Sequence, residues 1–402
     1  MKTLLILSIF FLFSIKGFSQ WTQKADFAGS ANRDMAVGFS IGNKGFVGTG
    51  REIYSCGMPV PCDKDYNDFW EYNPANNTWT KKADFEGVAR IQAVGFSIGD
   101  KGYIGTGGRV GYEKDFWEYN PTNDTWTRKA DFPGLVRWAA AGFSIGDKGY
   151  IGTGENGTTR FKDFWEYDPA TDTWTQKADF PGTVRGGAVC FSIGSKGYIG
   201  LGWSEGYIKN DFWEYNPVND SWKQIANFPA GGRQGATGFS IGLKGYVVAG
   251  HDGSYKNDLW EWDSTTNTWQ QKENFGGSGR IQGVGFSIDS KAYFGTGDSN
   301  SGYKNDFWEY DSEITSNSNL IKNENSFKIF PNPAINKITL NSPDKSIIEM
   351  TDINGQIIES FQQNSSNMTI DISSYPNGIY FVKVKTKEKM FVQKIIKTEN
   401  QE

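Results

Sequence analysis

The sequence predicts an all-β protein: six repeated four-stranded antiparallel units, followed by a second, smaller β-domain. Three observations carry this expectation. The string DFWEYNP, or a close variant, recurs with its Glu at 71, 118, 166, 214, 261 and 309, a period of 47 or 48 residues. Within each period, four strand-length hydrophobic segments are bounded by Gly, Asn, Asp or Pro. Gly (49), Phe (29) and Trp (15) are abundant in the 402 residues, a composition of turns and aromatic packing.

The chain starts with Lys2, an apolar run from Leu4 to Ile15, and small residues Gly17 and Ser19 before Gln20. This is the layout of a secretory signal peptide over residues 1–19. The apolar run is too short for the roughly 20 residues of a spanning helix, so no transmembrane span is expected. A net charge of −5 gives no reason to expect nucleic acid.

Each unit then reads in a fixed order. An Arg precedes a small-residue run ending in GFSIG, the first strand. A KGYIGTG-like second strand follows, then a loop, DFWEY as the third strand, a polar turn such as NPTNDT, and WTRKADF as the fourth. The sixth unit runs from Arg280 to Asp311 without a fourth strand of its own, and WTQKADF at 21–27 is the missing piece. Circular closure by this N-terminal strand is expected, because an open array would present an unpaired edge.

The double Gly positions (Gly105, Gly107), the aromatic pair Trp117 and Trp126, and the period make residues 20–311 resemble kelch repeats, although most units read Gly-Thr-Gly where many kelch units carry Gly-Gly. The resemblance implies a six-bladed β-propeller closed by the N-terminal strand, with the first strand of each blade innermost around a channel. Tryptophans that recur once per unit (for example Trp70 and Trp79) are then packing residues. Trp138 and Trp203 have no repeated role.

Antiparallel topology sorts the loops by face. Turns between first and second strands, and between third and fourth, are monotonous and share one face. The other face carries loops that differ in every unit, among them REIYSCGMPVPCDKDYN at 51–67 and WSEGYIKN at 203–210. Ligand-binding candidates are therefore drawn from that face: Arg51, Arg109, Trp138, Glu155, Arg160, Trp203, Glu205, His251 and Asp298. An acidic sugar gripped by an unrepeated Arg beside Trp203 is the expected ligand type. Arg33, Arg90, Arg137, Arg185, Arg233 and Arg280 precede the first strand of every unit and are expected to ring the channel mouth in a structural role, each clamping a neighbouring blade.

Catalytic patterns are weak. The single histidine, His251, cannot supply the paired ligands of copper-radical oxidases built on kelch scaffolds, and there is no GxSxG or HExxH. Asp63, Asp65 and Asn67 alternate as Ca²⁺ ligands do, but Asp68 stands where such loops turn on Gly. No metal or cofactor is expected. Cys56 and Cys62 bracket GMPVP and are expected to pair in an oxidising compartment, while Cys190 is expected to be buried and free.

Residues 312–326 read as a polar linker. From 327 to 402, alternating strands imply a small immunoglobulin-like β-sandwich. FKIFPNPAINKITL, DINGQII and YPNGIYFVKV followed by KIIK make this tail similar to the C-terminal sorting domain of type IX secretion substrates. That resemblance implies passage through the type IX machinery and a product released from the cell or attached to the outer-membrane surface. The combined expectation is an exported, monomeric, non-catalytic propeller that binds a glycan or protein. The alternatives are a sugar epimerase or mutarotase resembling N-acetylneuraminate epimerase, with loop Arg and Glu acting on the sugar, and a purely structural surface scaffold.

Overall fold

Strands account for the regular structure, and none of the described residues is helical. The computed structural model describes residues 20–29, 32–57, 62–108, 111–312, 328–341, 346–352, 357–362, 367–385 and 390–398. The expected signal peptide at 1–19, Arg109 and nearly all of the expected linker at 312–326 lie outside them. The chain divides into two compact units, Met1–Ser316 and Asn317–Glu402.

In the first unit, the repeat around Glu118 shows the plan. Val94–Ile98, Lys101–Gly105, Phe116–Asn120 and Thr125–Lys129 form one antiparallel sheet in that order. Five such sheets are continuous in sequence. In the sixth, Val284–Ile288, Lys291–Gly295 and Phe307–Asp311 are completed by Trp21–Gln23, which pairs Trp21 with Tyr310 and Gln23 with Trp308. The innermost strand of each sheet touches that of the next, and Val284–Ile288 touches Val37–Ile41, so the ring closes.

Local sequence explains this packing. In the GFSI strand burial alternates, as period-2 side chains require. Its Phe enters the neighbouring sheet: a Cβ on Gly102 would stand 2.5 Å from Phe39 Cε2. Gly in KGY is therefore a docking hole for the previous blade's Phe. The fourth-strand Trp closes the joint from outside. Trp126 Nε1–H donates to the Ala83 carbonyl of the preceding unit (3.1 Å), and Asp124 accepts from both Ala83 N–H (3.0 Å) and the Tyr119 hydroxyl (2.7 Å). Trp262, where other units have Tyr, is 1% exposed and donates to Asn267, filling the same slot.

The six repeated arginines do clamp blades, but they do not ring the channel mouth. Arg185 is fully buried; its two terminal nitrogens hold Asp211 at 2.7 and 2.8 Å, and Nη1 also donates to the Leu201 carbonyl (2.9 Å) and Nε to the Thr183 carbonyl (3.0 Å). The guanidinium lies over Phe180 of the preceding repeat, 4.8 Å from its centroid. Arg33, Arg90, Arg137, Arg233 and Arg280 hold Asp68, Asp115, Asp163, Asp258 and Asp306 in the same way, although Nε of Arg33 and Arg233 has no partner among the described residues. A guanidinium in this position is stabilised by the bidentate carboxylate and a carbonyl of its own repeat and by the Phe and carbonyl of the connection from the preceding one, so it ties each blade to that connection and does not line the cavity at the mouth.

Cys56 and Cys62 form a disulfide with a Cα–Cα distance of 5.7 Å. Cys190 is unpaired and half-buried. It reaches the channel wall below the mouth, its thiol donates to the Gly142 carbonyl at 3.2 Å, and burial pushes its pKa up to about 11.

The second unit contains two sheets. One orders Lys328–Phe330, Lys337–Asn341 and Asn367–Asp371; the other orders Ile357–Gln362, Ile347–Thr351, Gly378–Lys385 and Met390–Lys397. Both contribute to one core, including Ile338, Leu340, Ile348, Val382 and Ile395.

Candidate functional site

Immediately after each clamped Arg the backbone makes the same excursion. The second residue past the Arg has positive φ in all six units: Met35 (57°), Gln92 (50°), Ala139 (52°), Gly187 (62°), Gly235 (62°) and Gln282 (56°). This turn brings the chain to the axis. The six positions meet there and form a belt, in which Met35 N–H donates to Gln282 O (3.1 Å), Gln92 to Met35 (3.0 Å), Ala139 to Gln92 (3.1 Å), Gly187 to Ala139 (2.9 Å) and Gln282 to Gly235 (2.7 Å). The sixth link, from Gly235 N–H to Gly187 C=O, is not made.

Above the belt lies a cavity of about 420 Å³, open on the variable face. The loop between second and third strands enters it in register. Its first residue pairs through the backbone with the residue following the Arg: Arg51 with Asp34, Glu155 with Trp138, Trp203 with Gly186, His251 with Gln234, and Asp298 with Ile281. Arg51, Glu155, Trp203, His251 and Asp298 thus hold one equivalent slot in five different units. Glu155, Trp203 and Trp138 line the cavity.

One wall is a contiguous cluster. Arg160 Nε is 2.9 Å from Glu155 Oε2, and its guanidinium lies over Trp203 at 3.7 Å from the ring centroid. Tyr112 packs against Trp138 at 6.0 Å, and the shielded Trp138 Nε1–H has no hydrogen-bond partner among the described residues. Elsewhere on this face, His251 Nδ1 accepts from Gly253 N–H (3.2 Å), its ring meets Tyr255 edge-on, and the Tyr255 hydroxyl donates to Asp298 (3.0 Å). Glu205 does not join the site. It is exposed, at the tip of the hairpin formed by Trp203–Ser204 and Tyr207–Ile208, because that tight turn carries it away from the axis.

The described loop arginines already face carboxylates. Arg160 is held by Glu155, and Arg51 by Asp34 at 3.2 Å. Asp63 and Asp65 lie in the strand Cys62–Asp65, and the Asn67 amide donates to the Phe85 carbonyl (3.1 Å). No group of three His, Cys, Asp or Glu suited to a metal occurs among the described residues. Sequence reasoning missed Met35, Gln92 and Gln282 as mouth residues. Their common offset from the repeated Arg, with side chains that differ between units, was the available signal.

Asp34 has a measurable consequence. Burial pushes its carboxyl from 3.8 up to about 6, against the opposing pull of Arg51 and with the help of the Asp298 charge. A carboxyl raised in the folded state contributes stability at low pH that is lost as pH climbs from 4 through 6, by about 3 kcal/mol for a shift of this size. The clamp carboxylates Asp115, Asp211 and Asp306 are lowered by their arginines, despite burial, so their contribution is lost only below the ordinary Asp range. The expected result is that the stability difference between wild type and Asp34→Asn, from urea midpoints at pH 4 and pH 7, changes in favour of the variant as pH rises. A pH-independent difference would reject the buried-charge assignment.

Comparison with known proteins agrees with this architecture. Residues 328–398 match the secretion system C-terminal sorting domain, and residues 233–276 match the Kelch motif. The solved structure of YjhT superposes with a TM-score of 0.60 at 16% identity, covering 71% of this chain and 95% of that one, which speaks to the fold. No curated protein matches the chain significantly. Among the described residues no helix is long and apolar enough to cross a membrane. The chain is a kelch-type β-propeller carrying a secretion system C-terminal sorting domain, and is exported to the cell surface or beyond.

Proposed function

We propose that the propeller is a non-catalytic binding module for a glycan at the cell surface, with the channel mouth as its site. The observation that carries this reading is the convergence of unrepeated side chains, Trp138, Glu155 and Trp203, on one cavity, with Arg160 packed against two of them, while the repeated arginines do not line it. Repetition answers a demand made by every blade, whereas a ligand on the axis makes asymmetric demands. At about 420 Å³ the cavity falls within the roughly 300–1,000 Å³ of small-molecule sites. A folded protein partner would instead require about 800 Å² of its own surface to be covered.

The test is a glycan array probed with the exported protein, followed by titration of the hits against Trp203→Ala. Loss of Trp203 is expected to weaken binding by about 2 kcal/mol or more, the range of an interface hot spot, with stability nearly unchanged. Equal binding by the variant would reject the site, and capture of a protein partner in place of any glycan would reject the ligand class. Assaying the hits for epimerisation addresses catalysis: turnover abolished by Glu155→Gln would make the module an enzyme.

A further inference from the structure

We infer that the mouth selects an uncharged, hydroxyl-bearing sugar and that the unmade belt link between Gly187 and Gly235 is its recognition element. This deepens the glycan reading and rests on it. Five neighbouring pairs around the mouth satisfy each other's backbone groups, so only here does the belt offer a free C=O and a free N–H from adjacent blades. Both residues line the cavity. A hydroxyl accepts from an N–H and donates to a C=O through one oxygen, so a single hydroxyl or a vicinal pair can complete the ring where protein groups do not.

The charges around the cavity point the same way. Among the described residues no Lys or Arg lines it, and Glu155 is the lining carboxylate. Arg160 and Arg51, the described arginines of these loops, each face a carboxylate. A ligand carboxylate would therefore lose its hydration beside Glu155 and compete with Glu155 and Asp34 for Arg160 and Arg51, a net penalty in a partly enclosed site. Neutral hydroxyls meet no such penalty, and Glu155 retains lone pairs to accept from them. This displaces the acidic sugar expected from the loop arginines in the sequence.

The fold supplies its own control for the test. Gly187 occupies the position that Gln fills in two other units, Gln92 and Gln282, at nearly the same backbone angle, and a Cβ there would meet nothing within 4 Å. Gly187→Gln should thus fold, with a small drop in melting temperature from the left-handed backbone, while placing an amide side chain over the open link. For each neutral glycan retained by the wild-type protein, a matched analogue with the primary alcohol oxidised to a carboxylate is titrated beside it. The expected result is at least a tenfold preference of the wild type for the neutral member and at least a tenfold loss of that ligand in Gly187→Gln. A preference for the oxidised member overturns the inference whether or not the variant folds, as does normal binding by a folded Gly187→Gln. In either case a Trp203→Ala variant that still loses the glycan leaves the binding reading standing. If no glycan binds at all, that reading fails and this one with it.

Discussion

Deleting residues 21–27 is expected to destabilise the propeller by several kcal/mol. Trp21 and Phe27 are 4% and 2% exposed, and each large-to-small change of a core aromatic costs about 3–5 kcal/mol. Trp21 packs between Phe275 and Tyr310 at 5.4 and 5.1 Å, and its Nε1–H donates to the Glu273 carbonyl, the bond its counterparts make in every other blade. Deletion also leaves Phe307–Asp311 as an unpaired sheet edge, open to pairing with a second chain. Urea denaturation of the deleted and full-length proteins measures the loss, with light scattering to detect association. Trp21→Ala serves if the deletion does not fold, and an unchanged midpoint in either variant would reject closure by this strand.

The second large effect belongs to the clamp. Arg185→Ala should lower stability by about 3–5 kcal/mol, the penalty for leaving one partner of a buried ion pair behind. Asp211 loses both of its bonds to the guanidinium, and the Leu201 and Thr183 carbonyls lose their donor. Lys should not restore it, because one ammonium cannot span a bidentate carboxylate and two carbonyls at once. Arg185 does not line the cavity, so whatever variant protein folds should bind ligand normally. A variant with an unchanged melting temperature and lost ligand would invert the assignment, making the repeated arginines the site.

The contrast between these two predictions and the mouth shows what could be read from the chain. The blade scaffold repeats because each blade meets the same neighbours. Trp126 on Ala83, Phe39 against Gly102 and Arg185 on Asp211 are interactions within one repeat or between adjacent repeats, so every unit needs the same residue at the same offset. Period, strand order, the missing fourth strand and its replacement at residue 21 all follow from that regularity. The six arginines were legible as clamps for the same reason. Their absence from the cavity lining was not, because it is the residue two positions later, at the left-handed turn, that lines it.

What periodicity alone determined, then, is the scaffold: how many units, which residues pack them, and which loops are free to vary. Only the closed ring decided the site. Met35, Gln92 and Gln282 reach the axis through a left-handed turn, Arg160 crosses from its own loop to cover Trp203 of the next, and one link of the belt fails where two glycines adjoin. These groups are tens to hundreds of residues apart in the chain. They become neighbours because circular closure brings six non-identical segments to one point, and the contacts made there occur once, leaving no repeated signal in the sequence.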